Sequence, residues 1–225
     1  MLGRVLCRRP LPAFASQVSA LFSSSALEAS KTAVVLIEYQ NEFATVGGKL
    51  HEAVKPAMEA TNMLANSANV MKEARSKGAK IVHAPITFSD DYRELRSTSL
   101  FGILANVKAG RCFLASEWGG AFNEKMMPSA EDIVIQGKRG LCAFASTNLE
   151  FILRQNDIDT IALGGFLTNC CVESTMRTAY EKGFKVITLT DCTAATSIAE
   201  HEAAIKYTYP MFSTPMKAAE FLSKI

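Results

Sequence analysis

Past residue 32 the chain alternates short, largely apolar runs with longer stretches in which apolar residues recur at helical spacing. Five runs, at 33–37, 80–84, 132–135, 160–164 and 185–189, are rich in Val, Ile, Leu and Ala. Runs of this kind read as strands buried on both faces, as in a parallel sheet. A weaker sixth run lies at 209–212. Between them, residues 54–76 carry Ala57, Ala60, Met63, Leu64, Ala68 and Met71 near helical spacing, with Gly78 just beyond. This predicts one long crossover helix closed by a C-terminal glycine. Residues 146–155, 170–182 (followed by Gly183), 199–206 and 215–223 predict further helices. Strand and helix in alternation predict βαβ units and an α/β domain. Residues 87–125 break the rhythm: they mix Gly, Ser, Asp and Trp without a period and are too long for an ordinary connection, which predicts a functional segment, either a lid or an oligomer contact.

Composition narrows the class. With 225 residues, 48% of them hydrophobic and 20% charged, the chain can bury a sizeable core, which excludes disordered and fibrous classes. A formal charge of +2 predicts no nucleic-acid footprint. No apolar run reaches the roughly 18 to 20 residues of a spanning helix, so a membrane protein is not expected. The charge is unevenly placed. Arg4, Arg8 and Arg9 precede the first acid, Glu28, and without those three arginines the charge becomes −1. The first 25 residues are basic, acid-free and rich in serine, the pattern of an organelle transit peptide. The expected organisation is therefore a targeting segment over 1–30 and one domain over 31–225. The mitochondrion is the expected destination, with the plastid or cytoplasm as alternatives. An extension without targeting function is the plainer reading. Six cysteines, at 7, 112, 142, 170, 171 and 192, have neither disulfide-framework nor zinc-ligand spacing and read as reduced thiols.

In an open parallel sheet, ligands bind beyond the carboxyl ends of the strands, so chemistry is sought there. Glu38 directly follows the first run, Lys138 follows the third, and Cys171 lies where the fourth passes into a helix. Residues 164–169 can turn tightly enough to put the Cys171 sulfur at a helix N-terminus, where N–H groups and a nearby lysine favour a thiolate. The plain alternatives are a small buried hydrophobe for Cys171 and a solvated charge for Lys138. Glu38 is harder to dismiss, because an acid after a buried strand needs a partner or a task.

Four landmarks in order carry a family resemblance. They are Val35-Leu36-Ile37-Glu38-Tyr39-Gln40-Asn41-Glu42-Phe43; Ser116-Glu117-Trp118-Gly119; Asp132-Ile133-Val134-Ile135-Gln136-Gly137-Lys138-Arg139 with Phe144 and Thr147; and Gly165-Phe166-Leu167-Thr168-Asn169-Cys170-Cys171-Val172, continued by Thr175, Ala179 and Gly183. From about Ala33 onward the chain resembles the isochorismatase-like cysteine hydrolase superfamily. The resemblance implies a three-layer α/β/α fold with a mainly parallel, about six-stranded sheet. It also implies hydrolysis of amide-type C–N bonds. Glu38 would be the general base, Lys138 would stabilise the thiolate and orient the acid, and Cys171 would attack. It further implies oxyanion donors on the backbone of Leu167 and Cys171, a cis Phe166–Leu167 peptide, and assembly into a homo-oligomer. Trp118, as an aromatic wall, and Phe166 are the candidate substrate contacts.

Two departures stand out. Glu38 occupies the family's aspartate position, so either the pocket adjusts to an extra methylene or activity falls. The Asp-x-His arrangement of the metal-dependent nicotinamidase branch is missing, and His51, His83 and His201 have no ligand spacing, so neither a metal nor another cofactor is expected. Three functions follow: a metal-independent cysteine hydrolase of a small amide or carbamoyl substrate; an isochorismatase releasing 2,3-dihydroxybenzoate and pyruvate; and an oligomeric binding or redox-responsive protein with an impaired site. The partner is a small molecule in the first two.

Overall fold

The computed structural model describes residues 26–225, so most of the segment read as a leader lies outside the described residues. Leu27 is already tied to the domain: its N–H donates to the Lys224 carbonyl at 2.7 Å and its side chain packs on the core.

Six strands are present among the described residues: β1 (Thr32–Ile37), β2 (Lys80–Ala84), β3 (Ile133–Val134), β4 (Thr160–Phe166), β5 (Lys185–Ala194) and β6 (Thr214–Met216). They form one sheet in the order β3-β2-β1-β4-β5-β6, and every pairing is parallel. All six residues of β1 are buried, as the unbroken run predicts. Alternate side chains serve opposite layers. Val34 and Leu36 join a core with α2 (His51–Ala60), α3 (Met63–Ser76) and α9 (Ala218–Lys224), whereas Ala33, Val35 and Ile37 face one with α5 (Leu149–Gln155), α6 (Glu173–Glu181) and α8 (Tyr209–Phe212). Shorter helices α1 (Asn41–Ala44), α4 (Gly102–Ala109) and α7 (Ile198–Ala203) lie in the connections. This is the expected three-layer α/β/α architecture.

Two elements differ in kind from the sequence reading. The long helix over 54–76 is two helices, α2 and α3, separated at Thr61 and Asn62. Asn62 adopts φ +53°, a left-handed conformation that asparagine tolerates better than most residues, and the helix cannot run through it. The sixth strand is not at 209–212. Those residues form α8, with Pro210 in its first turn, where a missing N–H costs little, and Tyr209 is buried with its hydroxyl donating to the Thr168 carbonyl at 2.9 Å. The strand follows it as β6.

Where α3 meets the start of β3, Arg75 grips Asp132 through Nε at 2.9 Å and Nη2 at 2.7 Å, and the fully buried His83 of β2 approaches the same carboxylate at 3.3 Å. His83, one of the three histidines weighed as ligands, is a core residue. Burial holds its pKa below the usual 6.5, against the pull of Asp132. Burial likewise holds His201 low. Burial alone would raise Asp132, but the Arg75 hydrogen bonds hold it below its usual range. The unfolded chain therefore binds protons that the native state refuses as pH drops below about 6.5, and stability falls there. A second loss begins below about 4, where Asp132 becomes protonated in the unfolded chain but stays ionised in the native state. Denaturant midpoints between pH 7 and pH 5 should decline in the native protein and decline less in His83→Gln. A profile that is flat in the native protein, or as steep in the variant, would refute this. Asp132→Ala is expected to cost about 2–3 kcal/mol at pH 7.

Candidate active site

The strand order reverses direction between β1 and β4, the place where parallel sheets leave a crevice at their carboxyl ends. β1 and β4 run unusually close there. Gly165, at φ +135°, has no side chain because a Cβ would lie 2.0 Å from the Ile37 carbonyl oxygen. Glu38 leaves β1 at φ +59° and Cys171 follows β4, so the two side chains enter the crevice from adjacent strands. A glutamate in the left-handed region costs about 1–3 kcal/mol, and such positions concentrate at functional sites. Its backbone is held by N–H donation to the Ala84 carbonyl at 3.2 Å and by acceptance from Gln40 N–H at 2.7 Å.

Lys138 arrives from beyond β3. The preceding Gly137 has φ +92° and a Cβ there would meet the Ser146 carbonyl oxygen at 2.4 Å, so the chain turns under residue 146 only as glycine. Lys138 is fully buried, and its ammonium donates to the Glu38 carboxylate and, at 2.7 Å, to the Gly140 carbonyl. Burial opposes its charge, yet the Glu38 carboxylate and Cys171 outweigh burial and hold its pKa above the usual lysine value. The pair is therefore ionic, with the ammonium behind the carboxylate.

Cys171 lies in a wide helical turn, Thr168–Val172, that leads directly into α6. Thr168 anchors this turn through a 2.8 Å hydrogen bond with His201 Nδ1, and Thr175 Oγ1 donates to the Cys171 carbonyl at 2.7 Å while accepting from Ala143 N–H. The sulfur is 5% exposed and lines a cavity of about 260 Å³ with Glu38. Two opposing influences act on this thiol. The hydrogen bond to Cys170 (Sγ to Sγ 4.0 Å), then burial, then the Glu38 carboxylate all push the Cys171 thiol well above its usual pKa, more than Lys138 lowers it. Cys170, the acceptor, is held lower by that same hydrogen bond. Cys171 thus shares its cavity with the Glu38 carboxylate, which opposes ionisation of the sulfur. Iodoacetamide at pH 8 should alkylate Cys170 ahead of Cys171, and Cys171 labelling should still be rising with pH above 9. Peptide mass spectrometry with Cys171 labelled first would contradict this.

The remaining expectations divide. The Phe166–Leu167 peptide is cis, and Leu167 lines the cavity. Phe166 does not line it: the ring is fully buried beneath, stacked on Phe43 at 5.0 Å. Trp118 does not wall it either. Its side chain is 54% exposed, and its backbone carbonyl accepts from Asn41 Nδ2 at 2.9 Å. The Trp-Gly segment is instead a brace. Gly119 lies so close to Glu42 that a Cβ would sit 2.5 Å from Oε1, and the buried Glu42 carboxylate accepts from Lys49 N–H at 2.8 Å and Phe113 N–H at 3.3 Å. Gln40 ties the same strand exit to the carbonyls of Ile86 (2.9 Å) and Gly120 (2.7 Å). The cavity walls come partly from the irregular 87–125 segment, which supplies Leu104 and Val107 on α4, and partly from residues the sequence left unmarked, Leu50 and Val54 at the start of α2. Their three- and four-residue spacing reads as ordinary core packing. Among the described residues no group of three or more His, Cys, Asp or Glu is placed to hold a metal ion, and no helix is long and apolar enough to cross a membrane.

The model of the isochorismatase domain matches residues 32–220. The chain is 27% identical over 177 residues to the ureidoacrylate amidohydrolase RutB of Agrobacterium fabrum, a match covering 74% of this chain and 77% of that protein. Among solved structures it resembles N-carbamoylsarcosine amidase from Thermoplasma acidophilum, with TM-score 0.67 and 26% identity over 84% of this chain and 96% of that one. A cysteine hydrolase from Pseudomonas syringae shares the fold at TM-score 0.77 and 21% identity, covering 88% and 94%.

Proposed function

The chain belongs to the isochorismatase family of hydrolases, and on that premise we propose that it cleaves a small amide or carbamoyl-type C–N bond through a thioester on Cys171. The observation carrying this reading is the meeting of Glu38, backed by Lys138, with Cys171 at one cavity on the sheet's switch point. The amidohydrolase and amidase among its relatives act on bonds of this kind, as their names state.

The chemistry runs from the thiol. Glu38 takes the Cys171 proton as the sulfur attacks the carbonyl carbon, so the nucleophile is ionised only during attack. The backbone N–H groups of Leu167 and Cys171 receive the developing oxyanion. Glu38 then gives its proton to the departing nitrogen, leaving a thioester. It next deprotonates the water that hydrolyses this ester, and the proton returns to sulfur. Lys138 pairs with Glu38 and aims it between turnovers. No step calls for a metal. The Glu38–Lys138 contact closes despite the extra methylene, which favours an adjusted pocket over an impaired one.

The test is a screen of small amides for ammonia release, with acid quench and intact-mass analysis for an acyl adduct on Cys171. Turnover with a trapped adduct is expected. Turnover with no adduct on Cys171 and no dependence on its sulfur would overturn the reading.

Assembly into a homo-oligomer and delivery to the mitochondrion are proposed on the family resemblance and on the composition of the first 25 residues. Sedimentation and imaging of a tagged full chain would check them.

A further inference from the structure

Resting on the amide-hydrolase reading, we propose that the substrate is an uncharged aliphatic amide whose apolar group is held between α2 and α4. The cavity around Cys171 is walled by Phe43, Leu50, Val54, Leu104, Val107 and Phe113. Apart from cysteines, the polar side chains on its lining are Glu38, Asn106 and Thr196. No lysine, arginine or histidine among the described residues lines it.

Cations that flank its lining residues are already engaged, Lys108 among them by the Leu95 carbonyl at 2.7 Å. Lys138 is held by Glu38, Lys49 by Glu42 and Glu117, Arg111 by Glu117, and Arg139 by Glu94. A carboxylate on the substrate would enter an apolar space with no cationic partner and with Glu38 as its charged neighbour. Burying such a charge unpaired is strongly unfavourable. An alkyl group instead gains affinity from every methylene removed from water.

Volume sets the size. At about 260 Å³ the cavity falls below the roughly 300–1,000 Å³ of sites that take drug-sized ligands. An amide of about four to six carbons fills such a space. The reaction also assists its own product release. Attack by sulfur expels ammonia, and water then frees the thiol and a carboxylic acid, which ionises. The apolar walls that held the neutral amide have no partner for that anion.

The experiment uses the full-length protein and measures kcat/KM for ammonia release from acetamide, butyramide, pentanamide, 4-methylpentanamide and succinamate, the last two closely matched in shape. A rise of about fourfold per methylene from acetamide to pentanamide is expected. Succinamate should be at least about 100-fold poorer than 4-methylpentanamide. Leu104→Arg, which adds a cation to the wall, should narrow that ratio. Succinamate turned over as well as 4-methylpentanamide, with both rates abolished in Cys171→Ala, would overturn the apolar substrate class while leaving the hydrolase reading intact. Amide turnover that survives in Cys171→Ala, or that is absent across the whole series, would overturn both.

Discussion

Replacing Cys171 with alanine is expected to lower kcat toward any accepted amide by on the order of 10⁴-fold or more while leaving the fold in place. The size of the effect follows from the chemistry. Without sulfur there is no acyl acceptor, and what survives is the contribution of the oxyanion donors and of positioning. The fold should tolerate the change because it removes one atom from a side chain that borders a cavity, a loss of about 1 kcal/mol. Cys171→Ser should be nearly as inactive. A thiol whose pKa is raised by its hydrogen bond to Cys170 and by burial can still lose its proton to a carboxylate during attack, whereas a hydroxyl is far less acidic. Ammonia release, read beside thermal denaturation of the same preparations, checks both parts. Alanine turnover within tenfold of the native protein, in a folded variant, would show that the carboxylate and not the sulfur does the chemistry.

The groups proposed to react were legible in the sequence because parallel sheets put ligands at one edge, and Glu38, Lys138 and Cys171 each follow a buried run. Strands β1, β2 and β4 were legible for a related reason: strands covered on both faces leave unbroken apolar runs. The same criterion failed at the edges of the sheet. β3 contracts from 132–135 to Ile133–Val134, because Asp132 is drawn into the Arg75 and His83 cluster and pairing with β2 is confined to two residues. Tyr209 and Phe212 have strand-like side chains, yet they serve a helix that packs beneath the Cys171 turn. The 87–125 segment was legible as a functional one, but its individual wall residues were not, because Val54 and Val107 are chemically the same as core valines and only the space beside them distinguishes the two. Trp118 misled for the opposite reason. A lone tryptophan near a functional segment looks like a substrate wall, but the close packing here belongs to the backbone of Trp118 and Gly119, which lies on Asn41 and Glu42.

The landmarks thus separate into reacting groups and the frame that aims them. Gln40, Glu42 and Gly119 touch no reacting atom, but they fix the exit of β1, and with it the left-handed Glu38. The frame accounts for how a glutamate meets Lys138 where relatives are expected to carry aspartate. Lys138 is fixed independently by the Gly140 carbonyl and reaches the longer side chain without moving its own.

Lys138→Met should therefore be the most damaging single change to stability at the site. It leaves the Glu38 carboxylate buried at 2% exposure without its cation, and breaking a buried ion pair from one side costs about 3–5 kcal/mol. Amide turnover should fall on the order of 10³-fold as well, because the carboxylate loses the ammonium that aims it at the sulfur. The double variant Glu38→Gln with Lys138→Met separates the two effects: it removes both charges, so most of the lost stability should return while turnover stays absent. Glu38→Asp completes the argument. Its carboxylate retreats by about 1.5 Å, one carbon–carbon bond, from an ammonium held in place at Gly140. Activity should drop and not recover toward that of aspartate-bearing relatives. Denaturant titration and ammonia release on the four proteins decide the matter. A Lys138→Met variant as stable as the native protein, or a Glu38→Asp variant that is faster, would show that the ion pair is not what holds the base.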